Sequence, residues 1–111
     1  WSVSTPDVMR QIEVAVTRRP TDDRDKPPFI PNQSLSVDQA LQACTTGSAW
    51  VNGLDHVAGT IEVGKRADLV VLEDDPRRAN PIGDIKVEAT MVAGEFVYTL
   101  TSPGQVSPPA T

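Results

Sequence analysis

The chain has 111 residues and a formal net charge of −5, with 39% hydrophobic and 5% aromatic residues. This length fits one small domain, and the acidic balance argues against nucleic acid as a partner, because phosphate binding needs a clustered positive patch. No apolar run approaches the roughly 20 residues that span a bilayer, so no membrane partner is expected. The single cysteine, Cys44, cannot form an intrachain disulfide, which favours a reducing, cytoplasmic location.

The first predicted element is an amphipathic helix that begins at Thr5-Pro6-Asp7 and ends before Pro20. Thr5 suits the cap and Pro6 suits the first helical position, where no backbone donor is needed. Apolar side chains at helical spacing form one stripe, namely Val8, Ile12 and Ala15. Three polar side chains are expected to point to solvent, namely Arg10, Gln11 and Glu13.

A loop over Thr21–Gln33 follows, and its charges of mixed sign indicate a solvated surface. Ser36 and Gln39 then form a capping-box pattern that predicts a second helix. Its apolar face consists of Val37, Ala40, Leu41 and Cys44, so Cys44 is expected to be a small core residue. Thr45-Thr46-Gly47 is expected to break this helix, before one further turn in which Trp50 packs as a core or interface residue.

The stretch Gly59–Leu72 reads G-T-I-E-V-G-K-R-A-D-L-V-V-L. It predicts a short strand at Thr60–Glu62, a turn at Gly64 with Lys65 and Arg66 pointing to solvent, and a second strand over Ala67–Glu73. Four consecutive aliphatic residues in the second strand predict that it is covered on both faces, since a strand with one wet face alternates instead.

A hairpin is predicted from Lys86 to Tyr98, with a turn at Gly94-Glu95. The remaining residues, 99–111, are rich in Ser, Thr, Pro and Gly, and this composition predicts a disordered tail. Helices come first along the chain and strands second, an order that indicates an α+β class.

None of the candidate binding or catalytic motifs in the sequence has all the residues that its chemistry requires. Gly59, Gly64 and Lys65 have the spacing of a phosphate-binding loop, but Arg66 replaces the required Ser or Thr and a strand follows in place of a helix. We interpret this match as coincidence. Because His56 is the only histidine, a catalytic zinc site cannot be assembled from several imidazoles. The carboxylate pairs are expected in solvated turns without a catalytic role; they are Asp22-Asp23 and Asp74-Asp75.

Six blocks of sequence occur in an order that is typical of one enzyme family. They are W-S-V-S-T-P-D at Trp1–Asp7, A-V-T-R-R at Ala15–Arg19, L-S-V-D-Q-A-L at Leu35–Leu41, T-T-G-S-A-W at Thr45–Trp50, the block from Gly59 to Pro76, and V-E-A-T-M-V-A-G-E-F-V-Y at Val87–Tyr98. In these blocks the chain resembles the C-terminal part of metal-dependent amidohydrolases, in the branch of N-substituted formamide deformylase-like enzymes.

The resemblance implies an α+β fragment: the last helices of a TIM-like (β/α)8 barrel over residues 1–53, then the C-terminal strands of a β-sandwich over 54–98. It places the catalytic aspartate just before Trp1, and the other catalytic and metal-binding residues further upstream. No catalytic or metal-binding residue can therefore be assigned within the chain. Trp1, Val3 and Ser4 would form part of the substrate-pocket wall at the barrel mouth. The first residue is not Met, and we expect the chain to be a piece of a longer protein.

By the same resemblance, the parent protein would use zinc or another divalent metal to activate water and hydrolyse an amide-type C–N bond. The chain itself would be inactive, with the upstream barrel portion of the same protein as its partner. A different class of function stays open from the residues alone. The chain could be a non-catalytic interaction or regulatory module that forms a homo-oligomer through exposed β edges.

Overall fold

The computed structural model describes residues 5–102 and 105–107, with side chains described as far as Leu100. The chain divides into two compact units. The first combines Trp1–Ala43 with Asp74–Ile85, and the second combines Cys44–Glu73 with Lys86–Thr111. The unit boundary after Ala43 differs from the predicted domain boundary after residue 53, and residues 74–85 return to the first unit. The assignment of residues 1–53 to a barrel and 54–98 to a sandwich stays a prediction.

Helix α1 spans Val8–Thr17 and opens the first unit. The residue that caps it is Asp7, not Thr5, since Asp7 Oδ1 accepts hydrogen bonds from the backbone N–H groups of Met9 (3.0 Å) and Arg10 (3.4 Å). The helix ends at Arg18, whose φ of 59° is left-handed. Ile12 is buried as predicted, together with Met9, whereas Val8 of the predicted apolar stripe is 48% exposed.

The prediction that Glu13 points to solvent is wrong, because this residue is only 2% exposed. Arg24 holds both of its carboxylate oxygens, with Nε 3.0 Å from Oε2 and Nη2 3.1 Å from Oε1. The backbone N–H of Gly83 also donates to Oε1, at 3.0 Å. The reason is packing. A 3-10 turn over Ile82–Asp84 lies against α1, so close that a Cβ at Gly83 would stand 3.2 Å from Glu13 Oε1.

The loop after α1 is held at defined points. Phe29 N–H donates to the Arg18 carbonyl (2.8 Å), and Arg18 Nε donates back to the Phe29 carbonyl (2.9 Å). Arg24, at the centre of the loop, also forms an ion pair with Asp84 at 3.0 Å. Of the loop's charges, Arg24 is therefore structural. A 3-10 turn over Pro31–Gln33 follows the loop.

Helix α2 spans Val37–Gln42 and begins with the predicted capping box. Ser36 Oγ accepts from the Gln39 N–H (3.1 Å), and Gln39 Oε1 accepts from the Ser36 N–H (2.9 Å). The predicted break at Thr45-Thr46-Gly47 is wrong. The chain passes instead through a π-helical stretch, Ala43–Gly47, into a short helix, α3, over Ser48–Val51.

The π-helical stretch explains a wrong burial prediction. Its wider turns end the 3.6-residue spacing on which the prediction for Cys44 rested. Cys44 is exposed and is not the core residue expected. Trp50, expected to be a core or interface residue, is 71% exposed and is therefore not a core residue of the described chain, while its neighbour Ala49 is buried. A role for Trp50 in an interface stays a prediction.

The second unit contains an antiparallel sheet of four strands in the order β1-β2-β3-β4. The strands are β1 Leu69–Leu72, β2 Val87–Val92, β3 Glu95–Ser102 and β4 Gln105–Ser107. The predicted hairpin is confirmed as β2 and β3. Its turn lies at Ala93-Gly94, where φ values of 51° and 83° suit the twist of an antiparallel pair.

One predicted strand is missing, another is shorter than predicted, and part of the predicted disordered tail is ordered. Thr60–Glu62 forms no strand, and β1 is shorter than the predicted Ala67–Glu73. The predicted disorder from residue 99 is wrong where the structure continues β3 to Ser102 and adds β4, because backbone pairing orders these residues despite their polar composition. Residues 103, 104 and 108–111 of the predicted tail lie outside the described residues.

The turn before β1 is built around Lys65, which was expected to point to solvent but is only 18% exposed at its side chain. Lys65 Nζ donates to the Asp55 carbonyl (2.7 Å) and to Thr60 Oγ1 (2.8 Å). It also forms an ion pair with Glu62 at 3.2 Å. Arg66 is half-exposed, in line with prediction. Gly64 has a φ of 92°, which a glycine adopts without strain.

The predicted cover on both faces of β1 is not found among the described residues. Val70 is 55% exposed and Val71 is 49% exposed, and because side chains alternate along a strand these two point to opposite faces. Both faces of β1 are therefore partly open. The aliphatic run indicates a strand able to be buried, but the described chain does not bury it.

Replacing Glu13 by Gln should lower the free energy of unfolding by about 2 kcal/mol, because a buried carboxylate that accepts charge-assisted bonds is lost. Urea denaturation of the purified chain measures the change. Glu88→Gln is the matched control, since Glu88 is exposed on β2, and its effect should stay within about 0.5 kcal/mol. Equal effects of the two substitutions would contradict the role given to Glu13.

Glu62 provides a prediction about pH. The Thr60 hydroxyl, and after it Lys65, lower the pKa of this carboxyl below its ordinary value. A carboxyl with a depressed folded-state pKa stabilises the fold above its unfolded pKa and loses that contribution as the pH falls through the folded value, so the loss begins near pH 4. Thr60→Val should raise the Glu62 pKa in an NMR titration. An unchanged or lower pKa in that variant would show that Thr60 is not the main cause.

Candidate functional site

The pocket-wall residues predicted from the resemblance, Trp1, Val3 and Ser4, lie outside the described residues. Within residues 5–102, both compact units contain titratable groups and a cavity.

The described residues do not offer a metal centre. His56 is exposed in a turn after α3, and no group of three or more His, Cys, Asp or Glu side chains within the described part of the chain is placed to hold a metal ion. Catalytic zinc sites use three protein ligands and an open fourth position. The residues present here do not fit the divalent metal that the resemblance implies.

The other sequence candidates are engaged in local structure. Lys65, the lysine of the loop-like spacing, is occupied by Asp55, Thr60 and Glu62, and an extended segment follows it. The structure thus gives this stretch no helix N-terminus for a phosphate. Asp74 and Asp75 accept hydrogen bonds in a turn, from the N–H groups of Asp75 (2.7 Å) and Arg77 (2.9 Å).

One candidate site is a cavity of about 390 Å³ in the second unit. Segments 44–54 and 58–70 line it, with mainly apolar walls. Its charged pair, Arg66 and Asp68, is joined at 3.4 Å, and Cys44 stands at its wall without a histidine among the lining residues. This cavity can hold an apolar group. It lacks the base that would activate a thiol as a nucleophile.

A smaller cavity of about 220 Å³ lies in the first unit beside the Glu13–Arg24 pair, with Asn80 and Pro81 on its wall. The hydrogen bond to Glu13, followed by that to Asp84, raises the pKa of Arg24, so the guanidinium stays charged. Both carboxylates are paired with it. The arrangement is that of a structural clamp and does not leave a carboxylate free for acid–base catalysis.

Sequence reasoning missed this clamp for a definite reason. Glu13 and Arg24 are 11 residues apart and Arg24 and Asp84 are 60 apart, so no helical or strand spacing connects them. One signal was available: Glu13 lies next to Ile12, close to the apolar stripe of an amphipathic helix. A carboxylate at that position is buried only when paired.

Comparison with known proteins gives a consistent result. The Amidohydrolase family profile matches residues 1–98. N-substituted formamide deformylase from Arthrobacter pascens is 34% identical over 76 residues, which are 67% of this chain and 14% of that protein. No solved structure matches the chain significantly.

Two further relatives extend the comparison. A putative amidohydrolase, YtcJ, from Bacillus subtilis is 29% identical over 94 residues, 83% of this chain and 18% of that protein. N-acetylglucosamine-6-phosphate deacetylase from Rattus norvegicus is 32% identical over 76 residues, 68% of this chain and 16% of that protein. The chain thus spans less than a fifth of the length of these relatives.

The sequence blocks that carry the resemblance and the profile match both extend from Trp1 to Tyr98. The turn at Lys65 and the strand β1, which carry the most specific block, are formed in the structure. The chain belongs to the amidohydrolase family.

Proposed function

We propose that the chain is the C-terminal portion of a metal-dependent hydrolase that acts on non-peptide, amide-type C–N bonds, and that the chain alone is inactive. The observation that carries the proposal is the family match over residues 1–98. Two of its relatives are named a deformylase and a deacetylase, both of which cleave C–N bonds. The described residues, by contrast, offer neither a metal-ligand cluster nor a nucleophile with its base.

In the proposed parent, a divalent metal would lower the pKa of a bound water molecule, so that this water could attack the amide carbonyl. This chain's part is structural. Glu13, Arg24 and Asp84 fix α1 against the Ile82–Asp84 turn, and the hairpin of β2 and β3 supports β1. Under the resemblance, Trp1, Val3 and Ser4 would add to the pocket wall.

The proposed partner is the upstream barrel portion of the same protein. Large apolar side chains in the second unit support this proposal because they lack cover in the described chain. Trp50 is 71%, Val51 76% and Ile61 88% exposed, and Val63 is fully exposed. Large apolar side chains left exposed in this way can form an interface with further chain.

A second candidate function is a non-catalytic module that self-associates. The observation in its favour is the open strand β1, with Val70 and Val71 about half exposed. Exposed edge strands pair readily with other chains. This candidate predicts a specific oligomer, whereas the first predicts dependence on further chain for activity.

Zinc binding tests whether the chain lacks the metal centre. In equilibrium dialysis the 111-residue chain should take up no stoichiometric Zn²⁺ at micromolar concentration, because its single imidazole cannot complete a site. His56→Ala identifies any weak binding that the imidazole alone provides. Tight binding of one Zn²⁺ per chain, or metal-dependent amide hydrolysis by the chain, would overturn the proposed inactivity.

A chimera tests the hydrolase assignment directly. The aligned 76-residue segment of the Arthrobacter deformylase is replaced by its counterpart from this chain. The chimera should retain metal-dependent deformylation, because the segment supplies a supporting structure and not the metal ligands. The control is the deformylase with the segment deleted, which should be inactive. A chimera that folds by circular dichroism and binds metal but has no activity would count against the proposal.

A further inference from the structure

We propose that the cavity beside the Glu13–Arg24 pair binds a small monocarboxylate, with its apolar body inside the cavity and its carboxylate at Arg19. This inference goes beyond the proposed function and does not depend on it. It concerns only the first compact unit, to which all the lining residues belong.

The first observation is the size and the wall of the cavity. Its volume is about 220 Å³, and apolar residues form much of its wall, namely Val16, Ala79, Pro81 and Ile82. Ile82 is only 7% exposed. An apolar cavity of roughly 150 Å³ is enough to hold a benzene ring. This cavity therefore has room for one ring or a short branched alkyl group.

The second observation is an unpaired positive charge at the cavity. Within the described residues, every Lys and Arg side chain except Arg19 and Lys86 has a carboxylate or carbonyl partner. Both exceptions are exposed, and Arg19 lines the cavity. Because the chain has a net charge of −5, a guanidinium without a carboxylate partner is unusual in it. Beside apolar walls, it can receive an anionic ligand.

The end of helix α1 does not neutralise this charge. Arg19 follows the C-terminus of α1, whose carbonyl groups carry a partial charge equivalent to about half an elementary charge. Two of these carbonyls already accept backbone N–H groups, that of Val14 from Arg18 and that of Ala15 from Leu35. Most of the positive charge of Arg19 therefore remains for a ligand.

The third observation limits the class of anion. Glu13 and Arg24 neutralise each other in the wall, so that Arg19 leaves the lining residues with one net positive charge. Asp84, the second carboxylate on Arg24, is not among the lining residues, and its side chain is 60% exposed. A single positive charge suits a monoanion, whereas a phosphate group carries up to about two negative charges.

The donor groups favour a carboxylate among the monoanions. A guanidinium binds a carboxylate through two parallel hydrogen bonds. Asn80 also lines the cavity, and its side-chain amide has no hydrogen-bond partner in the described part of the chain. This amide provides a further N–H donor for a carboxylate oxygen. The ligand class is therefore a carboxylic acid with one small apolar group.

The expected affinity is low. The cavity admits only a small ligand, and Arg19 is exposed, so that water competes for its charge. For a ligand with one ring and one carboxylate, these limits give a dissociation constant on the order of 1 mM.

Two molecules of the same shape test the ligand class. Benzoate is the probe, and benzamide is the control because it lacks the charge. Titrated into the ¹⁵N-labelled 111-residue chain at constant ionic strength, benzoate should shift the amide NMR signals of Ala79, Asn80 and Ile82, with half-saturation near ~1 mM. Benzamide should bind at least about 10-fold more weakly, since it forms no charge-assisted bond. Acetate, which lacks the ring, should also bind at least about 10-fold more weakly.

Three variants test the residues. Arg19→Gln should weaken benzoate binding at least about 10-fold and leave benzamide binding nearly unchanged. Lys86→Gln is the matched control, because it removes the other unpaired cation, which is exposed and is not among the lining residues. Ala79→Leu fills the cavity and should weaken the binding of both ligands. Circular dichroism and thermal melting show whether each variant folds.

Three results would overturn the proposal. One is the absence of saturable shifts at the lining residues up to about 20 mM benzoate, some twenty times the expected dissociation constant. Another is an equal effect of Arg19→Gln and Lys86→Gln, since the attraction would then be one of overall charge. The last is equal binding of benzoate and benzamide. That comparison uses the unaltered chain and does not depend on the folding of any variant.

Discussion

The Glu13 carboxylate is the interaction on which the first compact unit depends. It joins three segments that are distant in sequence: α1, the loop that carries Arg24, and the turn that contains Gly83. A charge that is 2% exposed is stable only when its oxygens are paired, and here both oxygens are. The apolar residues beside it, Met9, Ile12 and Ile82, are few and leave little alternative source of cohesion.

The second unit has the opposite character. Its sheet is held by regular backbone pairing, but β1 and the surrounding turns leave large aliphatic side chains in solvent. Backbone pairing fixes the register of the strands. Any partner that covers the exposed aliphatic side chains would be stabilised by the hydrophobic effect. This contrast gives the two candidate functions a common physical origin, because the same open surface suits further chain of a hydrolase or a second copy.

Two local signals predicted local structure well. The capping box at Ser36 and Gln39 formed where expected, and the hairpin turn formed one residue before the predicted Gly94-Glu95. Burial was predicted poorly because it depends on contacts between distant residues. Glu13 is buried by Arg24 and Gly83, which no spacing reveals, and Lys65 is enclosed by its own turn.

The candidate site was the least predictable part. The motif patterns assigned no active site to His56 or to the carboxylate pairs, since none had suitable partners in sequence, and this assignment stays a prediction. The family could be recognised from blocks such as the Gly59–Pro76 stretch, because these blocks contain the residues that form a particular turn and strand. The function of the whole protein is not encoded in that stretch.

The reciprocal hydrogen bonds between Arg18 and Phe29 have a consequence for how the chain tolerates length changes. They bring the two ends of the intervening loop together, as the base of a closed ring. The entropy cost of closing a flexible loop rises only slowly with its length, by about 0.6 kcal/mol for each doubling. Residues inserted between Arg24 and Phe29 would leave the helix end and the clamp in place. This segment is therefore where the chain can gain or lose residues while keeping its structure.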